Sequence, residues 1–189
     1  MAEQLRADAR QNRARLLEAA GLAFTEKGAD APLEDIARRA GVGIGTLYRH
    51  FPTRLDLQSE VFRDQIMSLC ARADRLIAVP EEGEHPFFTW AKSIGAYFTL
   101  KRGLSKALIE GLGRDSEVVM TCWTVMRTTT ERLLADAQQA GLIRKDVDSV
   151  DVMRLLHGIS AATEHAPESA PRLTEVMLDG LRATPGQAD

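Results

Sequence analysis

Along nearly the whole chain, apolar residues recur every three or four positions, the spacing that gathers them on one face of an α-helix. Leu16, Leu17, Ala20, Ala23 and Phe24 form the first such stripe. It predicts a helix from near Asp8 to Lys27, stopped by Gly28, because a residue that tolerates positive φ commonly ends a helix. Leu33, Ile36, Ala37 and Ala40 form a second, short stripe, and Ile44, Leu47, Tyr48 and Phe51 repeat its spacing. Between them stands Gly41-Val42-Gly43. Gly41 can take the left-handed conformation of a sharp bend, and Val42 is expected to plug the gap between the helices. Two short helices joined by such a turn make a helix-turn-helix unit.

Phe51-Pro52-Thr53 interrupts the pattern, and Thr53 can cap a longer helix from Arg54 to about Ala78. Pro80–His85 is an acidic loop, and Pro86 suits the first turn of a helix ending near Leu100. A short helix begins at Arg102-Gly103 and ends around Gly111-Leu112-Gly113. Asp115 or Ser116 opens a long one, reaching about Ala140 and stopped by Gly141. Asp148 with Asp151 resembles an N-terminal cap for Ser149–Thr163. Ala166–Ala170 reads as a link, Pro171 opens a last helix ending by Ala183, and TPGQAD reads as a loose tail. The expected fold is all-α, with about nine helices. Residues 8–53 form one domain and 54–183 a larger one, joined within the fourth helix without a flexible linker.

Composition narrows the class. A chain of 189 residues, 44% hydrophobic and 27% charged, can bury a core without disulfides or metals. No apolar run approaches membrane-spanning length, and MAEQLRADARQNRAR lacks the apolar segment of a secretory signal. Cys70 and Cys122 lie far apart among apolar neighbours, which suits reduced, packed thiols in a cytoplasmic protein. The formal net charge of -3 does not favour a polyanionic partner, but local patches decide such binding. Arg6, Arg10, Arg13 and Arg15 outnumber Glu3 and Asp8, making this the most basic short stretch of the chain.

In a helix-turn-helix, the second helix enters the DNA major groove with its N-terminal residues nearest the base edges. Here that end is Gly43, Ile44, Gly45 and Thr46. Small residues let the backbone approach, and amides at a helix start favour phosphate. Thr46 can bond a phosphate or a base, and Ile44 can touch a thymine methyl. Tyr48, Arg49 and His50 follow, with Arg54 nearby. The tyrosine hydroxyl, the histidine N–H and the Arg54 guanidinium are phosphate donors, which set orientation and affinity without reading sequence. Two short helices around a glycine also occur in folds that never touch DNA, so spacing alone leaves both readings open.

The run LEDIARRAGVGIGTLYRHFPTR, Leu33 to Arg54, resembles the DNA-binding signature of TetR-type transcriptional regulators. The resemblance covers about residues 10–60, with the glycine turn, the Thr-Leu-Tyr-x-His-Phe core and the following basic residue in register. Beyond it, only helix number and order agree, although Lys101-Arg-Gly-Leu is similar to the SbtR-like subgroup. The resemblance implies an all-helical homodimer whose first three helices bind DNA and whose larger domain holds a small-molecule pocket. Ligand binding would move the fourth helix and change the distance between the two recognition helices. By position, Thr46, Tyr48, His50 and Arg54 would be DNA contacts, with Ile44 and Gly45 near bases. Three positions depart from the pattern. Ala31-Pro32 replaces a common phosphate-binding threonine, and Gly43 replaces a common serine. Glu34 stands where some members read bases with a basic residue; it can accept from a cytosine amino group or face solvent, and the second reading is preferred.

In the larger domain, Trp90, Ile94, Tyr97 and Phe98 share a helical face, as do Cys122, Trp123, Met126 and Thr130. Aromatic and methionine walls with a few polar groups suit a small-molecule pocket, and they equally suit an ordinary core. Trp90, Ile94, Phe98, Trp123 and Met126 are the candidate walls, with Arg127, Thr130 and His157 as polar partners. Leu155, Ile159, Leu173, Met177 and Leu181 are candidates for packing against a second copy, and Gly158 and Ala162 would permit close helix approach. The histidines His50, His85, His157 and His165 show no metal-binding spacing, so no metal is expected. No cofactor fingerprint, phosphate loop or nucleophile motif occurs, and no enzyme is expected. The expected function is transcriptional regulation, with repression favoured. A ligand-sensing or protein-binding helical dimer without tight DNA binding is the alternative.

Overall fold

A computed structural model describes residues 2–78 and 83–183. Among these the chain forms nine α-helices: α1 (Ala2–Lys27), α2 (Leu33–Arg39), α3 (Ile44–His50), α4 (Arg54–Ala78), α5 (Pro86–Leu100), α6 (Arg102–Leu112), α7 (Glu117–Gln139), α8 (Ser149–Ala162) and α9 (Ala170–Leu181). A 3-10 turn, Pro167–Ser169, precedes α9 where a link was expected. The TPGQAD tail and the first part of the acidic loop lie outside the described residues. α1 starts at Ala2 and not near Asp8. Its first turns hold Ala, Gln, Arg and Leu without Gly or Pro, so helix propensity extends it where no apolar stripe marks it.

The contacts divide the chain into two compact units, with the boundary inside α4 between Gln65 and Ile66. The first unit contains α1 to α3, the first half of α4 and the segment Gly103–Met120. Its core includes Leu16, Ala20, Phe24, Ile36, Leu47, Phe51 and Leu57, all buried. The α2–α3 turn closes as expected. Gly41 has φ +66°, its N–H donates to the Arg38 carbonyl, and Val42 N–H donates to Ala37. These two bonds satisfy two carbonyls of the last turn of α2, Arg38 and Ala37. Thr53 starts α4 by a reciprocal cap: its N–H donates to Asp56 Oδ2 at 2.9 Å, and Asp56 N–H donates to Thr53 Oγ1 at 3.1 Å. α6 packs tightly on the start of α4. A Cβ at Gly111 would lie 2.9 Å from Leu55 Cδ1, so only glycine fits there without a shift.

The second unit contains α4 from Ile66, α5 through Arg102, and the chain from Thr121 through α9. Its core includes Ile66, Phe87, Trp90, Ile94, Leu133, Met153, Leu156 and Leu178. α5 packs on both α8 and α9. The expected cap of α8 is present: Asp151 N–H donates to Asp148 Oδ1 at 2.8 Å, and Asp148 N–H donates to Asp151 Oδ2 at 3.3 Å. Close approach of α5 is built in at Gly95, where a Cβ would meet Leu156 Cδ2 at 3.1 Å and Thr174 Oγ1 at 3.4 Å. Cys70 and Cys122 are both buried, and neither forms a disulfide. Burial pushes the Cys70 thiol pKa up, which suppresses the reactive thiolate.

Candidate nucleic-acid interface and effector unit

α3 is seven residues long, too short to hold itself together in water. Leu47 is its one buried residue, and Phe51 closes its end inside the core. Burying a side chain of Leu47's size is worth about 1.5–3 kcal/mol, so this contact fixes the helix to the unit. The rest of α3 faces outward or lies at the boundary. Ile44 is 37% and Tyr48 46% exposed, Arg49 is exposed, and Thr46 and His50 are half-buried. A Cβ at Gly43 or Gly45 would meet nothing within 4 Å. Internal packing therefore does not require either glycine, and the start of α3 presents a low, open surface.

Two basic residues of the expected interface are engaged within the chain. Arg49 Nε donates to the Gly45 carbonyl at 3.2 Å, and its Nη2 lies 3.5 Å from Thr46 Oγ1. Its guanidinium thus lies along its own helix. Arg54 is turned further inward. Its Nη1 donates to the Ala31 carbonyl at 2.6 Å and the Ala29 carbonyl at 3.3 Å. Gln58 Nε2 donates to Ala29 as well, at 2.8 Å. Together they hold the α1–α2 loop, and hence the start of α2, against α4. At that start Pro32 supplies no side-chain cap, and Glu34 is exposed.

Sequence reasoning missed Arg13. It forms an ion pair with Glu60 of α4, and its guanidinium lies 5.4 Å from the Phe51 ring centroid. One α1 side chain therefore braces both the end of α3 and α4. Its place in the basic stretch was visible in the sequence; its partners, far away along the chain, were not.

Residues 16–61 match the bacterial regulatory proteins of the tetR family, and residues 82–183 match the C-terminal domain of SbtR-like transcriptional regulators. The chain belongs to the TetR family of transcriptional regulators. It is similar to a TetR transcriptional regulator from Streptomyces coelicolor, with 35% identity and a TM-score of 0.76 over 91% of this chain and 99% of that one. A TetR regulator from Mycobacterium vanbaalenii is 36% identical, with a TM-score of 0.74 over 95% of this chain and 99% of that one. Among curated relatives, an HTH-type transcriptional regulator of Staphylococcus aureus is 44% identical over 54 residues, 28% of this chain. The chain spans only 29% of that relative's length. The all-α TetR fold expected from the sequence is thus established, and both family and fold point to a regulator.

The expected pocket residues fall in the second unit, on α5, α7 and α8. Trp90 and Thr130 satisfy each other: Trp90 Nε1 donates to Thr130 Oγ1 at 3.0 Å, and that hydroxyl donates to the Met126 carbonyl at 2.8 Å. Trp90, Ile94, Met126 and Thr130 are buried. Phe98 and Trp123 are half-buried, and Arg127 pairs with Glu131 at 3.1 Å. His157 is exposed and meets the Phe98 ring edge-on at 5.6 Å. Tyr97, beside Phe98 on α5, is half-buried with its hydroxyl enclosed, and that desolvation pushes its pKa far up, so it stays a neutral phenol.

A cavity of about 440 Å³ lies on another face of α5, against the 3-10 turn and α9. Gly95, Ala96, Thr99, Leu100, Ala170 and Thr174 contribute to its wall. At its rim Lys92 pairs with Glu84 at 2.8 Å and Glu175 at 3.0 Å. Glu84 foremost, and Glu175 with it, hold the Lys92 pKa above the ordinary value.

The expected dimer residues flank an open apolar trough. Leu155 and Val176 are 45% and 61% exposed, and Ile159, Leu173 and Met177 are half-buried beside them. Gly158 opens into free space. Leu181 also borders the trough but is only 5% exposed, packed within its own chain.

Proposed function

We propose that this regulator binds a roughly palindromic operator as a homodimer and is a repressor released by a small molecule. Residues 8–53 would be the DNA-binding domain and 54–183 the effector-binding and dimerisation domain, with α4 belonging to both compact units. The observation that carries this reading is α3: one buried leucine fixes it, and its open, small-residue start precedes Thr46, Tyr48, Arg49 and His50. Gly43, Ile44 and Gly45 would lie nearest the bases, and Thr46, Tyr48 and His50 would meet phosphates. Arg49 would reach phosphate by leaving its helix carbonyl. Arg54 would act mainly through the α1–α2 loop, which it positions.

The effector would enter the second unit along α5. Phe98, Trp123, Arg127 and His157 are its most accessible expected contacts, and Trp90, Ile94, Met126 and Thr130 would form the wall behind them. Two copies would join through the α8–α9 trough, burying Leu155, Ile159, Leu173 and Met177. The fold's use of exposed apolar side chains there supports this, since a contiguous apolar patch otherwise marks a liability.

The test is selection from a random DNA pool by the purified chain, followed by salt titration on the enriched sequence. The expected result is two inverted half-sites and a steep loss of affinity with salt, since each phosphate contact releases counterions. A small-molecule screen then follows operator release together with tryptophan emission. No enrichment, with weak binding only, would favour the ligand-sensing or protein-binding dimer over the DNA-binding regulator.

A further inference from the structure

Residues 6–11 of α1 have no place in either compact core. From Arg6 through Gln11 every residue is exposed. The remainder of α1 is anchored in a definite order. Lys27 pairs with Asp35 and Glu26 with Arg39, so the carboxyl end lies along α2. Arg15 approaches the turn, where a Cβ on Gly41 would lie 3.8 Å from its Nη1. Arg13 reaches Phe51 at the end of α3. Going back toward the amino terminus, α1 therefore passes from α2 to the turn and the end of α3, and then continues beyond them. Eleven helical residues before Arg13 project about 16 Å at 1.5 Å per residue.

Arg6, Arg10 and Arg13 are spaced four and three apart, so they share one face of this helix. By the same spacing Asp8 falls on the opposite face and Glu3 on the same one, so the three arginines leave the stripe net positive. Arg13 is engaged by Glu60 and Phe51, whereas Arg6 and Arg10 stand exposed on the projecting turns. In a chain of formal charge -3, this is a local cationic stripe beside the recognition helix. The major groove that would receive α3 is about 12 Å wide and bordered by phosphate strands. With α3 in that groove, a basic helix extending past the end of α3 would meet that border.

We infer that Arg6 and Arg10 form a second DNA-binding surface, which grips phosphates flanking the half-site that α3 reads. The inference rests on the DNA-binding reading above. It assigns these arginines to affinity and footprint length and gives them no part in base selection.

The experiment compares the full chain with Arg6→Gln/Arg10→Gln, Arg6→Lys/Arg10→Lys and Lys145→Gln. Lys145 is an exposed cation of the other unit. Each is titrated with salt on two duplexes carrying the sequence selected by the unmodified chain. One ends at the outer edges of the half-sites; the other carries a further helical turn on each side. On the long duplex, the glutamine variant should bind more weakly and lose about 0.9 of salt slope per lost contact. The lysine variant should retain the slope, and Lys145→Gln should change nothing. On the short duplex, the glutamine variant and the unmodified chain should bind alike.

An unchanged slope on the long duplex overturns the inference while leaving DNA binding by α3 intact. An equal loss on both duplexes also overturns it, because the arginines would then act inside the half-site. Failure of the unmodified chain to bind any selected duplex overturns the DNA-binding reading and this inference with it.

Discussion

Along α3 a single leucine is buried, while glycine, hydroxyl and cationic side chains stand at or near the surface. In the trough between α8 and α9 the surface is mainly apolar: Leu155 and Val176 stand open beside Ile159, Leu173 and Met177, with Arg154 at its border. The two surfaces suit partners of opposite chemistry. A polyanion is held through charge and hydrogen bonds and lost as salt rises. An apolar partner is held by removal of surface from water and responds little to salt. The contrast gives each surface a separate handle. Charges introduced at the trough should abolish the proposed pairing without unfolding the chain, because both most exposed residues lie outside the core.

The largest expected effect comes from that handle. Leu155→Glu with Val176→Glu should convert the proposed dimer to a folded monomer in sedimentation, with a lower melting temperature that no longer depends on concentration, because pairing stabilises only the native chains. Binding to a two-half-site operator should weaken by about 100-fold or more, since the second half-site is no longer engaged intramolecularly. Binding to an isolated half-site should hardly change. A double variant that still sediments as a dimer would place the pairing surface elsewhere.

The next effect separates two residues that the sequence placed in one interface. Arg54 is tied to the Ala29 and Ala31 carbonyls, whereas the Tyr48 side chain stands exposed. Hydrogen bonds to charged groups contribute about 1.5–3 kcal/mol. Arg54→Ala should therefore lower the melting temperature by several degrees, at about 2–4 °C per kcal/mol for a chain of this size. Tyr48→Phe should leave melting unchanged and weaken DNA binding about threefold to tenfold, roughly 0.7–1.4 kcal/mol. If Arg54→Ala melts normally and reduces only the salt slope, its guanidinium serves DNA and not the loop.

That pair also marks where sequence reading stops. The turn at Gly41, the Thr53–Asp56 cap and the Asp148–Asp151 cap depend on residues within a few positions of one another. Periodicity and capping chemistry therefore locate them directly. The Arg54 bond to Ala29 spans 25 residues, and the Trp90–Thr130 bond spans 40. Spacing names the helical face of each partner but cannot say that the two faces meet. The same limit hid the Gly111–Leu55 approach, which made α6 part of the first unit. At the start of α1 the failure has another cause. Helix propensity extends the helix there without an apolar stripe, so periodicity finds only the buried part.

The smallest expected effect concerns the hydroxyl opposite in kind to Tyr48's. Thr130 Oγ1 accepts from Trp90 Nε1 in full burial and donates to Met126 in its own helix. Thr130→Val keeps the shape but leaves the buried indole N–H without its acceptor, a cost of about 1–2 kcal/mol. Melting should fall by a few degrees and Trp90 emission should shift, while the proposed dimer and its DNA salt slope remain unchanged. Thr130→Ser restores the acceptor and should recover the emission, losing only the methyl packing. Equal emission shifts in both variants would mean that packing, and not the hydrogen bond, sets the environment of Trp90. Recovery in Thr130→Ser alone would identify the Trp90–Thr130 bond as the fixed wall behind the accessible face of Phe98 and Trp123. An effector's emission change, if Trp123 produces it, should then persist when Trp90 is replaced by phenylalanine.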